Sequence, residues 1–157
     1  MMRDLSPFGP TSARTSADPE GIFARVRREH GMIRTFLDDV ERSCAIGGTT
    51  AVGVRAARLR RAVWDLYLLF DEHLAMEELV VSPILRAFDG DGERRAVAMI
   101  LEHNEQRRVL LELVENAERD ERTLAQLVEE ATSLVSAFRA DMEIEESALA
   151  VVFAGRG

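Results

Sequence analysis

Four long stretches of the chain place apolar residues three and four positions apart, and almost nothing alternates in twos. That spacing gathers the apolar side chains on one face of an α-helix. The first stretch runs from about 19 to 44 and is introduced by Asp18-Pro19, a capping residue followed by a proline suited to a first helical turn. Gly47-Gly48-Thr49-Thr50 closes it. The second fills much of 51–88, with its best pattern from Leu59 onward and Pro83 as a candidate kink. Asp89-Gly90-Asp91-Gly92 predicts a sharp turn. The third covers about 93–118, the charged segment 118–122 makes the last connection, and the fourth covers about 123–153. Four antiparallel helices with short links predict an all-α, up-down-up-down four-helix bundle. Residues 1–17, rich in Ser, Thr, Pro and Gly, carry no periodicity and predict a mobile N-terminal tail, leaving 18–157 as the bundle domain.

In such a bundle each helix turns a seam inward with spacings alternating between three and four. The first seam reads Val26, His30, Ile33, Leu37, Val40, Cys44, and the second Leu59, Val63, Leu66, Phe70, His73, Glu77, Val80, Ile84. The third reads Ala96, Ile100, His103, Arg107, Leu110, Val114, Ala117. The fourth reads Leu124, Leu127, Ala131, Leu134, Phe138, Asp141, Glu145, Ala148, Val152. All 3 histidines of the chain fall on these seams, and every helix brings at least one metal-competent side chain inward. Counted from the turns, His73, Glu77, His103, Asp141 and Glu145 lie at similar heights. His30 lies nearer its loop, so segment 45–58 must hold extra loop or an overhanging turn.

His73 and Glu77, and likewise Asp141 and Glu145, are four residues apart, which puts each pair on one helix face. Such a pair can offer one terminal ligand and one carboxylate that bridges to a neighbouring ion, since paired metals lie about 3.5–4 Å apart. With His30 and His103 the set comprises three imidazoles and three carboxylates. A buried, unpaired carboxylate costs several kcal/mol, so three in adjacent layers call for cations. Two divalent metals would supply them, and a nitrogen and oxygen donor set without sulfur suits iron or manganese. Cys44 lies about 21 Å along the helix from His30, too far to ligate.

Composition narrows the classes. The chain has 157 residues, of which 46% are hydrophobic and 31% charged, which predicts one soluble globular domain. Its net charge of −8 argues against nucleic acid as a partner. The single cysteine excludes an internal disulfide and a Cys-rich metal site. No apolar run approaches a membrane span or a signal-peptide core, so the expectation is a cytoplasmic protein without a membrane partner. Every basic residue is arginine, the usage of a GC-rich bacterial genome, and lysine-based Schiff-base chemistry is excluded.

The segment FDEHLAMEELVVSPIL, positions 70–85, resembles the H-x-x-x-E-E-x-x-x-x-P signature of the hemerythrin-like, or HHE cation-binding, family. The early His30, the Glu102-His103 step and the D-x-x-x-E-E segment from Asp141 to Glu146 extend the resemblance over about 20–153. The resemblance implies a bundle around two iron ions with an oxo or hydroxo bridge, with manganese as the alternative metal pair. It implies binding, sensing or handling of dioxygen, peroxide or nitric oxide. In that reading His30, His73 and His103 are terminal ligands, Glu77 and Glu145 bridge, and Asp141 is terminal or loosely bound. Two positions depart from the family: Asp141 stands where histidine is usual, and Arg107 stands where hemerythrins proper carry a further histidine. The oxygen-richer set points away from reversible carriage and toward a di-iron oxidase or oxygenase acting on a small organic substrate. A metal-free bundle serving as an interaction module is the third reading.

Around the site, Arg107 is a candidate to neutralise Asp141, to gate a channel or to clamp an anionic substrate, and the first is favoured. Tyr67, with Trp64 and Phe70, is a candidate substrate contact, although aromatics at helical spacing are more often core. Glu78 and Glu146 are expected to support the ligands or face solvent, and Glu102 to lie at the surface. The apolar run Leu110, Leu111, Leu113, Val114 leaves monomer and weak homodimer both open.

Overall fold

The computed structural model describes residues 18–45, 51–119 and 121–154. They form four helices, α1 (Pro19–Ala45), α2 (Val52–Phe88), α3 (Gly92–Glu118) and α4 (Leu124–Ala154). The expected tail at 1–17 and the Gly47-Gly48 connection lie outside the described residues. Among the described residues there is no strand, and no helix is long and apolar enough to cross a membrane.

The start of α1 carries the capping that Asp18-Pro19 predicts. The Asp18 carboxylate accepts from the backbone N–H groups of Glu20 and Gly21, at 3.4 and 3.2 Å, and so caps α1. At α4 the Thr123 hydroxyl accepts from the Gln126 N–H at 3.2 Å, while the Gln126 side chain accepts from the Thr123 N–H at 2.9 Å. That is a capping box. Helix α2 continues through Pro83 to Phe88.

The α2–α3 turn is closed by Gly92, whose backbone lies against the last turn of α2. A Cβ there would sit 2.0 Å from the Leu85 carbonyl oxygen, so no side chain fits. Ion pairs Arg86–Glu93 and Arg95–Asp89, at 2.9 and 2.8 Å, brace the same junction. This close approach fixes the height of His103 on α3 against His73 and Glu77 on α2. Helix α1 packs on α2 and α4, and α3 packs on the same two, so α1 and α3 hold opposite corners. The first turns of α2 overhang. They reach about six residues, roughly 9 Å, further below the histidine layer than α1 does, which accounts for the excess in 45–58.

The apolar core is in two parts. One, around Ile33, Leu37, Leu66, Leu110 and Phe138, fills the end of the α1–α2 connection, where the Phe70 and Phe138 rings stack at 4.5 Å. The other, around Val26, Val81, Leu85, Leu149 and Val152, fills the end of the 89–92 turn. A polar layer separates them. The seams also drift as straight helices require, by about 20° per heptad against a strict seven-residue repeat. Met142 and Leu149 are buried where Asp141 and Ala148 were expected, and Val81 and Leu85 replace Val80 and Ile84. On α3, counted backward from His103, Met99 replaces Ile100. The run 110–114 is largely spent on this core: Leu110, Leu113 and Val114 are buried and Leu111 is exposed.

Candidate metal centre

The polar layer is built around Glu77, whose side chain is fully buried. Its Oε1 lies 3.2 Å from His73 Nε2 and 3.6 Å from His30 Nε2, and its Oε2 lies 3.3 Å from His103 Nε2. Glu145 Oε2 reaches His30 Nε2 at 3.4 Å, and the Nε2 atoms of His30 and His73 are 3.0 Å apart. Donor atoms of His30, His73, Glu77 and Glu145 all lie within 4.8 Å of one another, a group that can hold a metal ion. His103 stands on the other side of the same Glu77 carboxylate.

Each ring is held from behind. Nδ1 of His30 meets Glu146 at 2.9 Å, Nδ1 of His73 meets Glu29 at 3.0 Å, and Nδ1 of His103 meets Glu78 at 3.2 Å. Each of these carboxylates is tied in turn to an arginine: Arg34–Glu146 at 2.9 Å, Arg25–Glu29 at 2.7 Å and Arg107–Glu78 at 2.6 Å. A carboxylate held by arginine only accepts, so Nδ1 carries the hydrogen and the Nε2 position is the one left to face Glu77. A carboxylate behind a ligating histidine is a usual arrangement for orienting it and raising its basicity.

Acceptors facing acceptors in a dry layer need a cation between them. Both Glu77 oxygens are buried without a hydrogen bond. Without metal, protons serve. Burial opposes charge on His30, yet the hydrogen bonds and charges of Glu145 and Glu77 raise its pKa from 6.5 to about 10. His73 moves up against its own burial under the charge of Glu77 and the bond to Glu29. Burial would raise Glu77, but the charge of His73 and the close approach of the His103, His30 and His73 imidazoles hold it well below the usual range. Burial pushes Glu145 up, and His30 only partly counters it. A metal ion fits the same space. Donors about 2.0–2.2 Å from one ion stand roughly 3.0–3.6 Å from their neighbours, as the close pairs do here at 3.0, 3.2, 3.4 and 3.6 Å, within a group that spans up to 4.8 Å.

Asp141 is brought to the edge of the cluster, not into it, because the drift of α4 turns Met142 inward. Its carboxylate accepts from Gln106 Nε2 at 3.2 Å. The expected Arg107–Asp141 pair is therefore corrected: Arg107 lies on the α2 side of α3 and binds Asp71 at 2.9 Å as well as Glu78. Tyr67 makes no contact with the cluster among the described residues; its ring packs on Trp64 at 5.7 Å and on the core. Cys44 also lies against the core, away from the histidines. Glu102 is exposed as expected, yet partial desolvation of its carboxyl, together with the charge of Asp141, raises its pKa.

Glu29 was missed by sequence reasoning. A readable signal existed. Inner and outer groups alternate as neighbours in Glu29-His30, Glu77-Glu78 and Glu145-Glu146. A step of one residue turns about 100° around the helix, so the outer member of each doublet, Glu29, Glu78 or Glu146, points at an adjacent helix and backs a histidine there.

A family model for the hemerythrin HHE cation binding domain matches residues 21–151. No curated protein and no solved structure matches. The matched span contains all four helices apart from their outermost residues and every side chain of the polar layer. This chain belongs to the hemerythrin HHE cation-binding domain family.

Proposed function

We propose that the bundle holds two iron ions and uses them on dioxygen or a related small oxidant. His30, His73, Glu145 and Glu77 Oε1 would hold one ion; His103 and Glu77 Oε2 would hold the other. The observation that supports this most directly is the Glu77 carboxylate, which turns one oxygen to His30 and His73 and the other to His103. Bound iron would supply a Lewis acid and an electron source. The chain supplies the rest. The outer glutamates fix the rings, the arginines hold those glutamates in place, and the two apolar cores exclude water from above and below.

The donor set favours oxidant activation over reversible carriage, because Arg107 stands one turn after His103 in place of a further histidine, and Asp141 is committed to Gln106. A second reading, an oxidase or oxygenase acting on a small organic substrate, is favoured by the cavity that opens beside Glu145. Elemental analysis of protein expressed with ample iron and purified without chelator tests both. Two irons per chain are expected. Two manganese ions would change the metal and keep the site, and no metal would return the bundle to an interaction module. Oxygen consumption that depends on an added substrate separates enzyme from sensor.

A further inference from the structure

The metal layer is closed on most sides and open on one. His30, His73, His103 and Glu77 are at most a few per cent exposed, whereas the Glu145 side chain is 25% exposed. Glu145 forms part of the wall of a cavity of about 420 Å³ between α2, α3 and α4. That volume is at the small end of the roughly 300–1,000 Å³ typical of small-molecule sites.

The cavity is amphipathic along its length. At the metal layer it carries Glu102, Asp141 and Glu145. Toward the 89–92 turn its walls become Leu85, Met99, Leu149 and Val152, with Ile144 and Val151 largely exposed. Among the described residues its charge is uncompensated, in contrast to the rest of the centre. The outer carboxylates Glu29, Glu78 and Glu146 each have an arginine. Glu102 and Asp141 have none: Glu102 forms no hydrogen bond or ion pair among the described residues, and Asp141 has only the neutral Gln106. Among the described residues that line the cavity the one cation, Arg95, is already bound to Asp89 at 2.8 Å and lies over the Phe88 ring.

We propose that this cavity binds a small primary aliphatic amine, with its ammonium group against Glu102 and Asp141 and its hydrocarbon body along the apolar wall. The occupant is small because the volume is small, cationic because the two carboxylates lack a partner, and aliphatic because the wall beyond them is Leu, Met and Val. The amine would then lie beside the proposed metal pair. Only that last placement rests on the proposed function; binding itself needs no metal.

Calorimetry with n-hexylammonium, 1-hexanol and hexanoate, on metal-free and metal-loaded protein, tests the proposal. Hexylammonium should bind at least tenfold more tightly than hexanol, and hexanoate weakest, in both forms. Glu102→Gln should weaken hexylammonium about tenfold, the loss of one hydrogen bond to a charged group, with metal content unchanged. Ala148→Phe, which fills the cavity from α4, should abolish binding while the circular dichroism of the bundle is retained. Equal affinity for the three probes would overturn the proposal, as would hexylammonium binding that survives Ala148→Phe. So would a Glu102→Gln variant that loses metal and keeps its amine affinity, since Glu102 would then be a ligand. A chain that takes up no iron yet binds hexylammonium as described would sink the proposed function and leave this inference standing.

Discussion

Replacing Glu77 with glutamine keeps the shape of the side chain and removes its charge, and the structure sets the size of the effect. Three imidazole nitrogens lie 3.2, 3.3 and 3.6 Å from its oxygens. At about 3.3 Å, with an effective dielectric near 20, one pair of unit charges is worth about 5 kcal/mol. Breaking a buried charge pair costs about 3–5 kcal/mol in practice, so metal affinity should fall by roughly two to four decades. Glutamine presents one oxygen and one NH₂ group, so it can serve one ion at most. The expected outcome is a chain that retains less than one metal through purification, measured by elemental analysis. In the metal-free protein, His30 loses one of the two carboxylates that hold it at about 10, and its pKa should move back toward 6.5. An NMR titration of the imidazole protons follows that directly. A Glu77→Gln variant with two ions bound at wild-type affinity would refute the central role given to this carboxylate.

The metal-free protein should be less stable in alkali. His30 is raised from 6.5 to about 10, so its contribution is complete below pH 6.5 and is lost as pH climbs to 10, where the unfolded chain has released a proton the folded one retains. Thermal unfolding should show a Tm that falls across this window without metal and stays level there with metal bound; a level metal-free curve would contradict the assignment. Arg107→Met frees Glu78 behind His103 and should weaken metal binding roughly 10–100-fold, a loss that competition with a chelator can measure. Gly92→Ala forces a Cβ to within 2.0 Å of the Leu85 carbonyl and should cost about 1–3 kcal/mol in chemical denaturation, with no compensating gain in helix propensity visible. Chelation of bound metal should lower Tm in proportion to the logarithm of metal concentration over Kd.

The four helices and their limits were readable because their causes are local. Asp18-Pro19 announces a helix start, the 89–92 segment announces a turn, and apolar spacing within each helix names a face. The chemistry of that face was readable too, since three histidines and the Glu77 and Glu145 carboxylates interrupt otherwise apolar seams. What the sequence could not decide is how the faces meet. A helix repeats every 3.6 residues and a seam every 3.5, so small angular drift accumulates into a choice between neighbours. It turned Asp141 to the rim and Met142 inward. Partners across the bundle depend on that same packing. Arg107 could reach either neighbour from α3 and was drawn to Glu78 and Asp71 on α2. Glu29 reads along its own helix as one more surface charge, and only the approach of α2 makes it the support of His73. Periodicity specifies which side chains share a surface; the contact between two surfaces, and the desolvation that gives a buried charge its partner, exist only once the helices have docked.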